Sequence, residues 1–258
     1  MGENLTVNIC TDTMYTGIAP YYDKWSSGDW AWDTSRMFYR NLLMDEPGTD
    51  IMELGIGNGS ISLPVICGRQ VHITGVDLSD GMLEVCRSSY EALVRSGEAQ
   101  GELVLRKQDM CDLTELEQYD CVILPFRTVG HLLSNEQLER LFSGVWRSLR
   151  PGGRFVLDHY MFNKQWAQEH NHQKIVMYSE DGLVICDCYH YDFQKGLLRC
   201  QVLVNGACVE QFDFRWMEPD LIQNHAATAG FRVEKLLGDY DGSLWSPDAS
   251  EQIWILRK

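Results

Sequence analysis

Two periods of apolar and polar positions alternate along the chain. Short apolar runs within 51–54, 71–77, 101–110, 119–126 and 154–158 are bounded by glycine, aspartate or proline, which is the signature of buried strands. Between them the spacing becomes helical. Residues 32–43 offer Met37, Phe38, Leu42 and Leu43 to one face, a short helix reaches about residue 70, and another runs from about 81 to 96. Residues 134–149 carry Leu138, Leu141, Phe142, Val145 and Leu149 on one stripe. Strands alternating with amphipathic helices predict an α/β fold with a mostly parallel sheet.

The pattern changes after Asp158. Residues 174–179, 183–193, 197–204 and 208–217 alternate or run apolar like strands, broken by Glu180-Asp181-Gly182, Gln194-Lys195-Gly196 and Asn205-Gly206. Asn-Gly is the strongest short hairpin signal, so these segments predict an antiparallel sheet of about four strands. A helix from 218 or 219 to 229 follows, stopped by Gly230. The strands over 231–240 and 251–256 are joined by a loop too short for a crossover helix, so they are expected to be antiparallel neighbours. The division this suggests is an aromatic-rich helical segment over 1–44, a principal domain over 45–165 and 218–258, and an inserted sheet over 166–217. The insert either covers a site or pairs two subunits.

Glycines at 55, 57 and 59 follow the first strand in I-M-E-L-G-I-G-N-G-S, and a helical pattern opens after them. Glycine reaches φ > 0 and lets a ligand approach bare backbone, so a strand breaking into G-x-G-x-G reads as a nucleotide cradle. A dinucleotide fingerprint would place its third glycine or alanine at position 60, which is Ser60. Asp77 ends the second strand, where a carboxylate can accept hydrogen bonds from both ribose hydroxyls. Ser79 or Asp80 also suits the cap of the next helix. At the carboxyl end of the fourth strand, Leu124-Pro125-Phe126 leads into R-T-V-G-H-L-L and brings His131 toward the crevice where the strand order reverses. An imidazole there can move a proton near neutrality, or it can simply pack beneath the next helix.

Composition narrows the partners. With 22 Lys and Arg against 37 Asp and Glu, the formal charge is −15, which disfavours a nucleic-acid partner and suits a neutral or cationic small molecule, although acidity also serves solubility. There is no apolar run of 18 residues and no basic-then-apolar leader pattern, so no membrane partner is expected and the cytoplasm is the expected location. Thr6 gives only a loose match to a myristoylation pattern. Nine scattered cysteines read as small buried hydrophobes of a reducing compartment. Cys186-x-Cys188 and His170-Asn-His172 lack the spacing or further ligands of a metal site, so none is expected.

E-x-G-x-G-x-G at 53–59, G-V-D-L-S-D-G-M-L at 75–83 and L-x-P-G-G at 149–153 together resemble the motifs of class I S-adenosylmethionine-dependent methyltransferases. The resemblance covers about residues 20–165 and 218–258. It implies a Rossmann-like, seven-stranded, mostly parallel sheet with an antiparallel last strand, and S-adenosyl-L-methionine as cofactor. It further implies that Glu53, Gly55, Gly57, Gly59 and Asp77 hold the cofactor, with Leu78 and Met82 beside the adenine. Asp109 would meet the adenine amino group, the backbone of Met110 a ring nitrogen, and Leu124 would close the end of the fourth strand. Tyr22-Asp23 before a Trp-rich helix is similar to the lid of small-molecule methyltransferases, with Tyr22 and Trp32 over the methyl donor. A narrower resemblance, to N-methyltransferases of deoxyamino sugars, rests on Tyr22-Asp23, T-V-G-H at 128–131 and the strand-rich insert. It implies N-methylation of a small-molecule amine, with His131 and Tyr22 as catalytic residues and a homodimer as one use of the insert. Arg127 departs from it, since a small residue is usual there. A small-molecule O-methyltransferase, a non-catalytic cofactor-binding protein and a nicotinamide oxidoreductase stay open as alternatives.

Overall fold

A computed structural model describes residues 13–27 and 30–258, with backbone alone at Trp30 and Ala31. The pattern around Thr6, Cys10 and the first part of the 1–44 segment lie outside the described residues. The central strand β1 (Asp50–Leu54) pairs in parallel with β2 (His72–Asp77) and β4 (Tyr119–Leu124). Adding β3 (Glu102–Lys107), β5 (Leu149–Tyr160), β10 (Arg232–Leu237) and β11 (Glu251–Arg257) gives a seven-stranded sheet in the order β10-β11-β5-β4-β1-β2-β3. β11 is antiparallel to both its neighbours, as the short connection requires. The order reverses between β1 and β4, so a crevice opens at the carboxyl ends of these strands.

Alternation along the strands sends side chains to two covered faces. Met52, Leu54, Val122, Leu124, Phe155 and Leu157 pack with Leu138, Leu141, Phe142 and Val145 of α5 (Asn135–Ser148) and with Ile222 and Ala226 of α7 (Pro219–Ala229). Ile51, Cys121, Ile123 and Val156 face the other way, against Tyr39 and Leu43 of α2 (Trp30–Asp45) and Val65 and Ile66 of α3 (Ser62–Gly68). Local chemistry sets the helix ends. Ser134 forms a capping box with Gln137, a device typically contributing about 1 kcal/mol, and Gly230 ends α7 in the left-handed region. Ser79 caps α4 (Asp80–Ser96) through Met82 N.

Three details differ from the sequence pattern. β3 ends at Lys107, leaving Asp109 and Met110 in the following turn. The glycines at 152 and 153 do not separate helix from strand. β5 already begins at Leu149, and the pairing slips from Tyr119 opposite Leu149 to Cys121 opposite Arg154, a bulge with Gly152 at φ +79°. A short helix α6 (Lys164–His170), capped by Asn163, precedes the insert.

The insert is a separate antiparallel sheet, β6 (Lys174–Glu180), β7 (Leu183–Asp192), β8 (Leu197–Val204) and β9 (Ala207–Arg215), paired in chain order. One face packs on the N-terminal segment, where Ile185, Cys200, Val202 and Val204 meet Ile18 and Trp25 of α1 (Tyr22–Ser26). β9 lies against the 3₁₀ turn Thr128–His131, where a Cβ on Gly130 would come within 2.1 Å of the Phe214 ring. Among the described residues seven cysteines are free thiols, and Cys208 is disulfide-bonded, a departure from the expectation of uniformly reduced cysteines. Among the described residues no helix is long and apolar enough to cross a membrane. Among the same residues no three His, Cys, Asp or Glu side chains converge as metal ligands.

Candidate active site

The glycine turn is tied to the neighbouring strand before any ligand is considered. Gly55 N and Ile56 N both donate to Val76 O, at 2.7 and 3.0 Å, and Gly55 and Gly57 sit at φ +69° and +56°. A Cβ at Gly55 would stand 2.8 Å from Thr128 Cγ2, and one at Gly57 3.2 Å from Met82 Cε. Gly57 N donates to Asp77 Oδ2 at 2.8 Å and Ser79 N to Oδ1 at 2.9 Å. Burial raises the Asp77 carboxyl, and these backbone donors, with Leu78 N, work against that shift and hold the group in place.

A cavity of about 610 Å³ extends from this turn to the inserted sheet. Gly55, Gly57, Asp77, Leu78, Met82, Asp109 and Met110 form one wall, and Tyr22 and Trp32 from the N-terminal helices also line it. The bare turn, the fixed carboxylate and the apolar Leu78 and Met82 have the chemistry that a nucleoside requires.

The tip of β4 shapes the middle of the cavity. Phe126 and Arg127 lie at φ +59° and +60°, a left-handed pair that for non-glycine residues costs on the order of 1–3 kcal/mol each. Arg127 N donates to Asp158 Oδ2 at 3.0 Å, and Thr128 Oγ1 donates to Pro125 O at 2.6 Å. The Arg127 guanidinium pairs with Glu251 and lies 5.7 Å over the Tyr160 ring, while Phe126 stacks on Trp32 at 5.1 Å. Asp158, fully buried, also accepts the hydroxyls of Tyr39 at 2.5 Å and Tyr240 at 2.8 Å. Burial pushes Glu251 up to about 7 against the pull of Arg127.

This strained tip delivers His131 to the cavity. Tyr15 Oη lies 3.0 Å from His131 Nε2, and the rings of Tyr15, Phe212 and Phe214 stand edge-on to the imidazole at 5.5, 5.3 and 5.1 Å. Tyr22 packs among Tyr15, Trp25 and Trp32, and burial raises its hydroxyl. At the insert, Asp187 is held by Trp25 Nε1 at 2.8 Å and Tyr189 Oη at 2.9 Å, and burial pushes its carboxyl up to about 6.

Tyr22, Trp32, Gly55, Gly57, Asp77, Leu78, Met82, Asp109, Met110 and His131 therefore share one cavity. Glu53, Gly59 and Leu124 stand back from its wall. Glu53 is 1% exposed beneath the turn, hydrogen-bonded by Ser62, and pushed up to about 8 by burial. Gly59 faces Cys86 and Leu63, and Leu124 belongs to the core. Tyr15, Tyr160, Asp187, Phe212 and Phe214 line the cavity without having been singled out from the sequence. Tyr15 belonged to the aromatic N-terminal cluster, while the insert residues carried only strand alternation, a pattern silent about what a strand faces.

The methyltransferase-domain family model matches residues 51–153, from β1 to the bulge in β5. A protein of Geobacillus sp. (strain WCH70) described as a candidate methyltransferase is 24% identical over 256 residues, 95% of this chain and 99% of that one. Among solved structures, the CcbJ methyltransferase from Streptomyces caelestis superposes with a TM-score of 0.77 at 20% identity, covering 95% of this chain and 98% of that one. A sugar N-methyltransferase from Streptoalloteichus sp ATCC 53650 gives 0.66 at 16% identity, covering 100% and 98%. Over residues 51–153 the chain matches the methyltransferase-domain family, and the sheet order and glycine turn agree with the Rossmann-like fold of an S-adenosylmethionine-dependent methyltransferase.

Proposed function

We propose that the acceptor is a small-molecule amine and that the reaction is N-methylation by in-line displacement. The observation that carries this reading is the wall opposite the glycine turn, which is aromatic and acidic and presents the His131–Tyr15 pair. The cofactor supplies a methyl group on a positively charged sulfur, already a good leaving group, so the chain's own work is orientation and exclusion of water. Asp77 would take the ribose hydroxyls, the turn at Gly55 and Gly57 would give close approach, and Leu78, Met82, Asp109 and Met110 would surround the base. Glu53, Gly59 and Leu124 would act one step removed, by fixing the turn and the strand ends. Tyr22 and Trp32 would roof the donor, making residues 1–44 a lid over the cofactor domain of 45–165 and 218–258. The insert, 166–217, would cover the acceptor. His131 would take up the proton the amine releases and share it with Tyr15.

A neutral amine attacks without a strong base, which suits a wall that offers one imidazole, buried phenols and carboxylates. The net charge of −15 argues for a small, non-phosphate acceptor over nucleic acid. Amino sugars belong to this class of acceptor, and the sugar N-methyltransferase of similar fold lends them support. The test is transfer of a labelled methyl group to a panel of small amines, amino sugars included, and to matched alcohols and carboxylates. Label on nitrogen is the expected result. Label on oxygen alone, or cofactor binding with no turnover on any member, would contradict it.

A further inference from the structure

We propose that Asp187 recognises the positive charge of the acceptor, so that the substrate class is a small organic cation held between this carboxylate and the aromatic wall. The inference builds on the amine reading above. Asp187 projects from β7 into the cavity and is 2% exposed. Both its side-chain partners, the Trp25 indole and the Tyr189 hydroxyl, are neutral donors. The other charged groups on the cavity are answered differently. Arg127 pairs with Glu251 and Asp213 is bridged by Arg199 at 2.7 and 2.9 Å, while Asp77 and Asp109, which accept backbone N–H groups, stand on the glycine-turn wall away from the insert.

A carboxylate out of water with neutral donors alone is incompletely compensated, and an incoming ammonium completes it, its proton passing to His131 before the neutral nitrogen attacks and regains the charge with the methyl group. The surrounding rings add to the attraction, because desolvated cations are drawn to aromatic faces. Tyr15 and Phe212 stack at 5.1 Å beside this region, and Tyr189 carries both the ring and the hydroxyl that orients the acid. Methyl transfer moves positive charge from sulfur to the acceptor nitrogen, so a carboxylate on the acceptor wall attracts more strongly as the reaction proceeds. Trp25 belongs to α1, 162 residues from Asp187, so the same hydrogen bond joins the N-terminal segment to the insert.

The experiment measures binding of choline and of its neutral carbon isostere, 3,3-dimethylbutan-1-ol, by calorimetry on the full chain saturated with S-adenosylhomocysteine. Wild type is expected to prefer the cation by about tenfold or more, and Asp187→Asn to lose most of that preference while the alcohol's affinity stays within about threefold. Equal affinities in wild type, or an unchanged preference in Asp187→Asn, would overturn the proposal. Should Asp187→Asn also lose S-adenosylhomocysteine, Tyr189→Phe decides. Freeing one carboxylate oxygen is expected to tighten choline by about two- to fivefold, and an unchanged or weaker affinity overturns the proposal. The labelled-methyl panel separates the two readings. Methyl on nitrogen without dependence of choline binding on Asp187 defeats this inference alone, whereas methyl on oxygen alone defeats the amine reading and leaves a measured Asp187-dependent preference standing.

Discussion

The two walls of the cavity are made of different material. On the cofactor side the contacts are mainly backbone: Gly55 and Gly57 at positive φ, N–H groups bound to Val76 and Asp77, and one carboxylate locked by them. On the acceptor side they are side chains from elements far apart in the chain, with Tyr15 meeting His131 across 116 residues and Trp25 meeting Asp187 across 162. Backbone leaves little room for change, since any added atom enters the ligand's space. A wall of side chains can be altered one residue at a time, and on the proposed reading acceptor specificity resides there.

The largest expected effect breaks the backbone wall. Gly57→Val places a β-branched residue at φ +56° with its Cβ 3.2 Å from Met82 Cε, and should weaken S-adenosylhomocysteine by roughly 100-fold or more in calorimetry. Next is the acceptor wall. His131→Ala should lower kcat by about 10²-fold and Tyr15→Phe by about tenfold, both with S-adenosylhomocysteine affinity within about threefold of wild type. Loss of cofactor binding in either variant would show that the walls are not separable.

The smallest effect lies under the turn. Glu53 is pushed from 4.5 up to about 8, so its stabilising contribution is complete below about pH 4.5 and is lost as pH rises through about 8. Wild type should therefore lose several degrees of Tm between pH 6 and 9, and Glu53→Gln, which fixes the neutral shape, should lose less. Parallel curves for the two proteins would remove Glu53 from the pH response.

How legible each wall was follows from the same contrast. The glycine turn, Asp77, the capped α4 and α5 and all four inserted strands could be read from the sequence, because glycine, capping and hairpin chemistry are local. Glu53 and Leu124 fell within the right motifs, yet their side chains point away from the cavity, Leu124 into the core and Glu53 toward Ser62. Which residues approach the cavity from the insert depends on how its sheet docks against the turn at Thr128–His131. That docking is set by packing such as Phe214 on Gly130, which periodicity does not encode. Asp187 carried no signal of its own within the 183–193 strand pattern, and its hydrogen bond to Trp25 exists only once the N-terminal segment and the insert have met.

The central claim is that the nucleoside is held across the tips of β1 and β2 by bare backbone and by the Asp77 carboxylate. Calorimetric titration of S-adenosylhomocysteine into wild type and Asp77→Asn tests it most directly. A charge-assisted pair of hydrogen bonds to the ribose predicts a loss of roughly 10- to 100-fold in affinity. An affinity unchanged by Asp77→Asn in a folded protein would contradict the account.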